Sequence, residues 1–580
     1  MYIQGVYLRK CRQKKNGREY SYWQLVETYR TERGPRQRVV ANLGELDGPG
    51  RSGIKQLATD NHAHVHQPSL LGDELPPQWV EIDASRVKAE RVKQFGGVWL
   101  GLQVIERLRL FEFMDKVMPS GKEDIPWPVM ASVLVLSRLL DPSSELRIAQ
   151  HLFERTALSE LLGIPTDKVN DDRLYRALDA LLPHKEALEK HLKQQLGELF
   201  HIDYDVLLYD VTSTYFEGQA LSNEQAKRGY SRDHRGDCKQ VCIALIVSKC
   251  GMPFAYELFD GNRHDSTTVK EIILNIEQKF GAADRVWVMD RGMTSEDNIE
   301  FLKTRGQHYI LGTPKSTLRH YEQQLLEGNW DVVHEGLEVK LCPTPDGQET
   351  FILCRSANRH EKEKAMHDRF ATRLEAGLEK IALSCTMRRQ NVLTIAQRVG
   401  RLKQQFSRAA RLFDVKITEL EGRAQLSWTM PKTQSEWATL SEGCYILRSN
   451  ITTWSADELW TAYIQLTQAE AAFRIHKSDL SIRPVWHQKT ERVQAHILVC
   501  FLAFVLWKTL EQMCVQSGLG SSSRIVLDEL SQIHTVDVVM STKTGVKIRR
   551  RCVSEPTKHQ SILLQRLGLH LPKHLKTADM

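Results

Sequence analysis

The stretch that decides the fold is Val206-Leu207-Leu208-Tyr209-Asp210-Val211-Thr212-Ser213-Thr214-Tyr215-Phe216. It is nearly all apolar, which is typical of a strand buried in the middle of a sheet, and one carboxylate, Asp210, interrupts it. A second apolar stretch, 286–289, also ends on an acid, Asp290, and Gly292 then lets the chain turn away. A buried carboxylate is costly unless it is paired or binds a cation. The two strands therefore predict that Asp210 and Asp290 share a cation.

Length and composition describe an ordinary protein of several domains. A chain of 580 residues is too long for a single core. Its 41% hydrophobic and 26% charged residues are typical of globular proteins. The net charge of +7 is compatible with a polyanionic partner without establishing one. The 11 cysteines lack the paired CxxC spacing of a zinc site, so we expect reduced thiols.

Nothing in the sequence indicates a membrane partner or a secretory signal. The N-terminus has no apolar segment of the kind that signal peptides carry. The longest apolar run, residues 497–507, is about half of the ~20 residues that a membrane span needs. We therefore expect a cytoplasmic protein.

The first 200 residues divide into three predicted regions. Residues 1–50 form a small β meander, with strands at 20–29 and 36–43 and a basic edge. Residues 51–85 are a linker, in which His62, His64 and His66 alternate; a flexible linker rarely holds a metal, so we favour a plain linker there. Residues 86–200 have helical periodicity and would either bind duplex DNA or form a dimer contact. The predicted helices of this region are 98–113, 127–140, 145–154, 171–181 and 184–200.

Residues 201–314 have the element order of a ribonuclease-H-like α/β core. Strands at 241–247 and 253–259 would pair antiparallel with the Asp210 strand. A helix at 267–280, the Asp290 strand, a helix at 295–303 capped by Ser295 and a strand at 309–312 follow. Between the Asp210 strand and the strand at 241–247 lies a polar segment, 227–237, with four basic residues.

A third acid lies far downstream, on a helix that should begin at a capping box formed by Ser455 and Glu458. Along it, Tyr463, Glu470 and Lys477 are spaced by seven residues, close to two full turns, so they share a face. Arg474 lies near the same face. A carboxylate between a Tyr and a Lys is the arrangement that a metal site at a phosphodiester would use. The alternative is a solvated helix with an incidental charge pattern.

Together these motifs resemble the transposases of IS4-related insertion sequences, and most closely the IS1634-type branch. The resemblance covers residues 200–505 well and the N-terminal regions more loosely. The family's helix signature is Tyr, Arg, Glu and Lys, and here Leu466 occupies the Arg position, so Arg474 could supply the basic group instead. The segments around Asp210 and Asp290-Arg291-Gly292 resemble the family's first and second acidic motifs.

The resemblance implies a DDE enzyme that cuts the ends of its element and joins the 3′-OH to target DNA. Asp210, Asp290 and Glu470 would be the catalytic and metal-binding residues. They would hold two Mg²⁺ ions, with Mn²⁺ able to replace them. The implied DNA-binding residues are Tyr463, Arg474, Lys477 and Arg291. The implied partners are double-stranded DNA, at the element ends and the target, and a second copy of the chain in a nucleoid-associated homodimer.

The resemblance also accounts for the distance in sequence between Asp290 and Glu470. It implies an insertion domain at 315–453 that contains β-structure, with long helices at 361–380 and 390–412, before the second part of the core at 454–515. Between Arg388 and Arg411 lie seven basic residues and no acid, which favours phosphate contact. Residues 516–580 would form a tail module whose basic cluster, 547–551, either contacts DNA or provides solubility.

Two other functions fit the sequence less well. A haloacid-dehalogenase-type phosphotransferase needs a second Asp two residues after the first, and Thr212 stands there instead. A catalytically silent or domesticated transposase-derived DNA-binding protein would keep the fold without the chemistry. The presence of all three acids favours the enzyme.

Overall fold

The N-terminal segment forms a three-stranded antiparallel sheet, as its alternating sequence predicts. The structure is a computed structural model that describes residues 6–15, 18–31, 34–44, 80–420, 422–572 and 575. The strands are β1 (Val6–Lys15), β2 (Arg18–Thr31) and β3 (Gly34–Gly44), in that spatial order. The predicted histidine tract and most of the predicted linker lie outside the described residues.

The next region is helical, but it opens with a strand where the sequence analysis expected helix. This strand, β4, is Lys88–Gln94. The helices of at least eight residues that follow are α1 (Gly96–Arg107), α2 (Leu110–Val117), α3 (Trp127–Leu140), α4 (Asp171–Leu181) and α5 (Lys185–Phe200). The predicted helix 98–113 is broken into α1 and α2, because Arg109 adopts a left-handed conformation with φ of 49°. Shorter helical pieces, Glu145–Arg147, Ile148–Leu152, Phe153–Arg155 and Leu158–Leu162, connect α3 to α4.

The Asp210 segment forms β5 (Val206–Tyr215), a central strand of a nine-stranded mixed sheet. The other elements in this part of the chain are β6 (Gln240–Ser248), β7 (Pro253–Asp260), α6 (Val269–Phe280), β8 (Val286–Met289), α7 (Glu296–Thr304) and β9 (His308–Gly312). β5, β6 and β7 are antiparallel, whereas β8 pairs parallel with both β5 and β9. The predicted order of strands and helices is confirmed, as is the capping of α7 by Ser295, which accepts from the Asn298 N–H at 3.2 Å.

Most of the strands between β9 and residue 450 extend this same sheet. They are β10 (Asp331–His334), β11 (Leu337–Pro343), β12 (Thr350–Ser356) and β15 (Cys444–Ser449). The complete order is β10-β11-β12-β15-β9-β8-β5-β6-β7. The sequence analysis assigned residues 315–453 to an insertion domain, and four strands of this stretch lie in the central sheet itself. The sequence pattern of a strand does not specify its partner strand.

A smaller lobe projects between β12 and β15, with its own hydrophobic core. It consists of α8 (Ala357–Met387), α9 (Val392–Gln405) and the hairpin β13 (Asp414–Leu420) and β14 (Arg423–Thr429). The following helix, α10 (Lys432–Ser441), packs instead against the central sheet, through Trp437 and Leu440. Of its predicted basic cluster, Arg388, Arg401 and Arg411 are exposed. Arg398 instead donates to Ser384 Oγ at 2.8 Å, within the lobe.

The chain returns to the sheet through α11 (Ala456–Ile464), α12 (Thr467–Arg474) and the long helix α13 (Thr490–Gln516). Within the described part of the chain, α13 is the one helix long and apolar enough to cross a membrane by length and composition alone. Its apolar window is 94% buried inside the protein, where it packs against α3 and α4. Its apolar character therefore serves the core.

The described residues that follow α13, 517–572 and 575, pack onto the helical region. α14 (Ser523–Leu530) is followed by β16 (His534–Ser541), β17 (Lys547–Val553) and α15 (Lys558–Leu567). β16 lies between β17 and β4, so the end of the chain completes a three-stranded sheet with residues 88–94. The predicted tail is thus built into the body of the protein.

The central sheet is covered on both faces, which gives a mixed α/β architecture. α6 and α7 pack on one face, against Leu207, Tyr209 and Trp287. The other face, which includes Leu208 and Val288, packs against α12, α13 and the helical region in a larger core. The predicted α/β class is confirmed at this level.

Candidate active site at the ends of two parallel strands

Asp210 and Asp290 lie next to each other on neighbouring parallel strands. The β5–β8 pairing ends with Tyr209 opposite Met289, and the two aspartates are the next residues of their strands. Asp210 lies within β5, which continues to Tyr215, and Asp290 is the residue that follows β8, so the parallel register places the two carboxylates side by side where the pairing stops.

Both aspartates belong to the sheet face that α12 and α13 cover. Side chains alternate between the faces of a strand, and Leu208 and Val288, two residues earlier in each strand, point into the core on that side. Ala469 and Phe473 of α12 belong to the same core. The helix that carries Glu470 therefore packs on the side of the sheet from which the aspartates project.

The two carboxylates are held in the same way. Asp210 Oδ1 accepts a hydrogen bond from the Val211 N–H at 2.8 Å, and Asp290 Oδ1 accepts one from the Arg291 N–H at 2.7 Å. Each bond fixes the carboxyl group against its own backbone and leaves the second oxygen of the group for another ligand.

The environment of Asp210 disfavours its negative charge. Burial, together with the nearby carboxylates of Asp290 and Asp265, raises the pKa of Asp210 to about 7, although the Val211 N–H and the Arg232 guanidinium lower it. Desolvation and like charges both favour the protonated acid. A cation between the two aspartates would reverse this effect, so the site has the electrostatic character of a metal-binding centre.

Tyr463 lies against the edge of the sheet where Asp290 is located. A Cβ added to Gly312 of β9 would be 2.6 Å from the Tyr463 hydroxyl oxygen. Burial raises the pKa of Tyr463, with Asp290 as a second cause. The structure thus places this predicted residue beside the second aspartate. Arg291, the residue after that aspartate, is exposed.

The predicted Glu470 helix is not continuous. Its capping box is confirmed: the Glu458 carboxylate accepts from the Ser455 N–H at 2.8 Å, and Ser455 Oγ accepts from the Glu458 N–H. However, α11 ends at Ile464 and α12 begins at Thr467, so Tyr463 and Glu470 stand on different helices. Seven-residue spacing does not exclude a break, and no Pro or Gly marks this one.

Glu470 is exposed on α12, and so is Arg474 one turn later. Among the residues that the structure describes, no group of three or more His, Cys, Asp or Glu side chains is placed to hold a metal ion. The structure therefore brings Asp210 and Asp290 together and does not bring Glu470 into a three-carboxylate group with them.

Lys477 stands in a π-helical turn, Ile475–Asp479, rather than on a regular helix. Its Nζ donates to Asp233 Oδ1 at 2.9 Å, and the Arg483 guanidinium donates to the same oxygen. Burial lowers the pKa of Lys477, whereas Asp233 raises it. In this structure the predicted phosphate-binding lysine is paired within the protein.

Sequence analysis missed four residues near the site. Asp233 and Arg232 belong to the basic segment 227–237, which we noted without assigning it a role. Arg232 donates to the carboxylate of Asp265, and Arg483 joins Lys477 on Asp233. Because these partners are separated by 33 residues or more, no local pattern could have paired them.

Two models of known protein families match this chain, one over the central sheet region and one over the N-terminal region. A family model described as "Transposase DDE domain" matches residues 201–506, more than half of the chain. The model of the IS1634 family transposase N-terminal domain matches residues 8–67. A search of curated proteins finds no relative.

Among solved structures, one similar chain comes from the cryo-EM structure of a piggyBac transposase synaptic complex with hairpin DNA. The two chains are 9% identical, with a TM-score of 0.33 over 74% of this chain and 79% of the other. A likeness at that level carries no argument about the site.

Proposed function

Because this chain belongs to the DDE transposase family, and to its IS1634 branch, we propose that it cuts the ends of its insertion sequence and joins the 3′-OH to target DNA. The observation that carries the proposal is the placement of Asp210 and Asp290 directly after the last paired residues of the parallel strands β5 and β8, on one sheet face. The sheet would then be the ribonuclease-H-like core that the order of its elements predicts.

DDE transposases use divalent metal ions, and the donor set here fits one. Two carboxylates from neighbouring strands offer the oxygen ligands that Mg²⁺ prefers. The pKa of Asp210 is raised by burial first and by Asp290 and Asp265 second, and a bound dication would offset both effects. When bound, such ions activate the attacking water or 3′-hydroxyl and stabilise the departing oxygen. We propose two Mg²⁺ ions, with Mn²⁺ as a substitute.

Glu470 is the proposed third carboxylate. It lies on the helix that packs over the aspartate-bearing face, and it remains accessible to solvent. The break at residues 465–466 separates this helix from α11, which packs against Gly312 through Tyr463. A small rotation of α12 at this break on DNA binding would bring Glu470 toward the aspartates.

The proposed DNA contacts follow from exposure. Arg291, which follows Asp290, and Arg474, one turn after Glu470 on α12, are exposed and can bind phosphates. Tyr463 would position the DNA substrate beside Asp290. Lys477 would contribute positive charge for DNA phosphates together with Arg483, with which it shares the carboxylate of Asp233. The partners are double-stranded element ends and target DNA, held by a homodimer in the cytoplasm at the nucleoid.

A catalytically silent DNA-binding protein is the second candidate, because the three carboxylates are not assembled in this structure. The purified chain should be incubated with Mg²⁺ and linear DNA that carries the element's own termini. Cleavage that disappears in Asp210→Ala supports the enzyme. Binding without cleavage in Mg²⁺ or Mn²⁺ would establish the silent protein instead.

A further inference from the structure

Two neighbouring residues of opposite charge, Arg232 and Asp233, pair with different halves of the divided core. They lie in the connection between β5 and β6, residues 216–239. Arg232 pairs with Asp265, which precedes α6 in the first half. Asp233 pairs with Lys477 and Arg483, which follow α12 in the second half. Asp265 and Lys477 are 212 positions apart in the sequence, and the two adjacent residues Arg232 and Asp233 connect them.

The Asp233 pairing is well protected from water. Its side chain is 4% exposed and that of Lys477 is 13% exposed. The two cations share Oδ1, and Oδ2 has no hydrogen-bond partner among the described residues. Ion pairs with so little exposure are hardly screened by solvent, and the loss of one partner leaves the others buried and uncompensated. This pairing therefore restrains the segment 475–483.

The Arg232 pairing faces the aspartates. The Arg232 guanidinium donates to Asp265, and it lies close enough to Asp210 to lower the pKa of the Asp210 carboxyl. The Arg232 N–H also approaches Ser213 Oγ of β5 at 3.4 Å. Arg232 is thus fixed to the strand that bears the first aspartate, and Asp233, the next residue, is fixed to the segment behind Glu470.

We propose that Arg232 and Asp233 are positioning residues, which set how the segment that follows Glu470 meets the strand ends that carry Asp210 and Asp290. The inference rests on the proposed function, because it assigns these residues to the assembly of the same site. Neither residue needs to contact DNA. Their effect is exerted through the placement of α12 and of residues 475–483.

The test compares Asp233→Asn with Asp237→Asn, a matched control in the same connection. Asp237 pairs with Arg235, and its side chain is 66% exposed, so the same substitution there removes an exposed ion pair within the connection, while Arg235 keeps its pair with Glu217. Asp233→Glu, which keeps the charge, serves as the conservative variant. Each is examined as the full chain by hydrogen–deuterium exchange and by single-turnover cleavage of element-end DNA.

In Asp233→Asn we expect exchange of residues 475–483 to become about tenfold faster while β5 and β8 stay protected. The cleavage rate should fall by about 10- to 100-fold with DNA affinity unchanged, as expected for misplaced catalytic groups. Asp233→Glu should recover part of the rate, and Asp237→Asn should match the wild type in both measurements.

Unchanged exchange at 475–483 in a folded Asp233→Asn protein would overturn the proposal, and so would an equal increase throughout the central sheet. If Asp233→Asn does not fold, Arg483→Gln can be used, because it removes only one of the two cations that pair with Asp233. This variant should show the same faster exchange at 475–483 on a smaller scale, and unchanged exchange in it would also overturn the proposal. A wild-type chain that never cleaves DNA would refute the proposed function, whereas the exchange comparison would still decide the role of Asp233.

Discussion

The hydroxyl group of Tyr463 packs directly on Gly312, so closely that a Cβ at residue 312 would be 2.6 Å from the hydroxyl oxygen. The Arg291 N–H, which holds the Asp290 carboxylate, would be 3.0 Å from the same Cβ. Because residue 312 has no side chain, Tyr463 of α11 can pack directly on β9, beside the second aspartate.

Gly312→Ala should move Tyr463 and lower the single-turnover cleavage rate by about tenfold or more, since displacements on the order of 1 Å are costly in a catalytic site. Combined with Tyr463→Phe, it should cause less loss than it does in the wild-type background, because the clashing oxygen is absent. Gly328→Ala is the control, since a Cβ there meets no atom within 4 Å. Equal losses from Gly312→Ala in both backgrounds would contradict this account of the contact.

The raised pKa of Asp210 predicts that the free energy of unfolding depends on pH. The protonated carboxyl is favoured in the folded protein, so its contribution is complete below the unfolded pKa of about 4 and is lost as the pH rises through about 7. The neutral variant Asp210→Asn should therefore gain stability relative to the wild type as the pH rises. The difference between their free energies of unfolding should shift in favour of the variant by on the order of 2 kcal/mol from pH 4.5 to pH 8.

The measurement is urea unfolding of both proteins in EDTA at the two pH values. A stability difference that is the same at pH 4.5 and pH 8 would show that Asp210 titrates normally in the folded protein. The same comparison with Mg²⁺ should reduce the advantage of the variant, because only the carboxylate gains from the cation.

A buried ion network fastens the helical region to the sheet. Lys279 of α6 pairs with Glu189 of α5, whose side chain is 0% exposed, and with Glu257 of β7. Lys279→Met should destabilise the protein by about 2–3 kcal/mol, because it removes one of the two lysines that pair with the buried Glu189 carboxylate and leaves Lys185 in place at 3.2 Å. In contrast, Arg263→Met breaks an exposed pair with Glu271 and should change the free energy of unfolding by less than about 1 kcal/mol. Similar losses in the two variants, measured by urea unfolding, would refute this ranking.

The exposed arginines of the α8–α9 lobe predict a salt-dependent contribution to DNA binding. Replacing Arg388, Arg401 and Arg411 with Gln should reduce the slope of log K against log salt concentration by roughly 2–3, about 0.9 for each phosphate that is no longer neutralised. Arg524→Gln, which alters an exposed pair with Asp528 on α14, is the control. An unchanged slope in the triple variant would place the DNA elsewhere.

Much of this architecture could be predicted from the sequence because its signals are local. The helix Trp127–Leu140 and the helix Asp171–Leu181 have the predicted bounds, since proline and charged residues mark their ends. The two aspartate strands were predicted from apolar runs that end on an acid, and their parallel register then determines that the acids meet.

The remainder depends on contacts between distant residues. The pattern of residues 350–356 predicts a strand but does not reveal that β12 and β15 join the central sheet. The break between α11 and α12 leaves the spacing of Tyr463 and Glu470 intact, so periodicity could not detect it. The pairing of Asp233 with Lys477 spans 244 residues and has no local signature.

The central claim is that Asp210 and Asp290 act as one catalytic unit, and a double-mutant cycle on DNA cleavage tests it most directly. Single-turnover rates with element-end DNA and Mg²⁺ should be measured for Asp210→Ala, Asp290→Ala and the double variant, each checked for folding by its melting temperature. The account predicts that each single variant loses about a thousandfold or more and that the double variant loses little beyond that, because residues that act together are not additive. Cleavage within tenfold of the wild type in either single variant, or losses that multiply in the double variant, would contradict it.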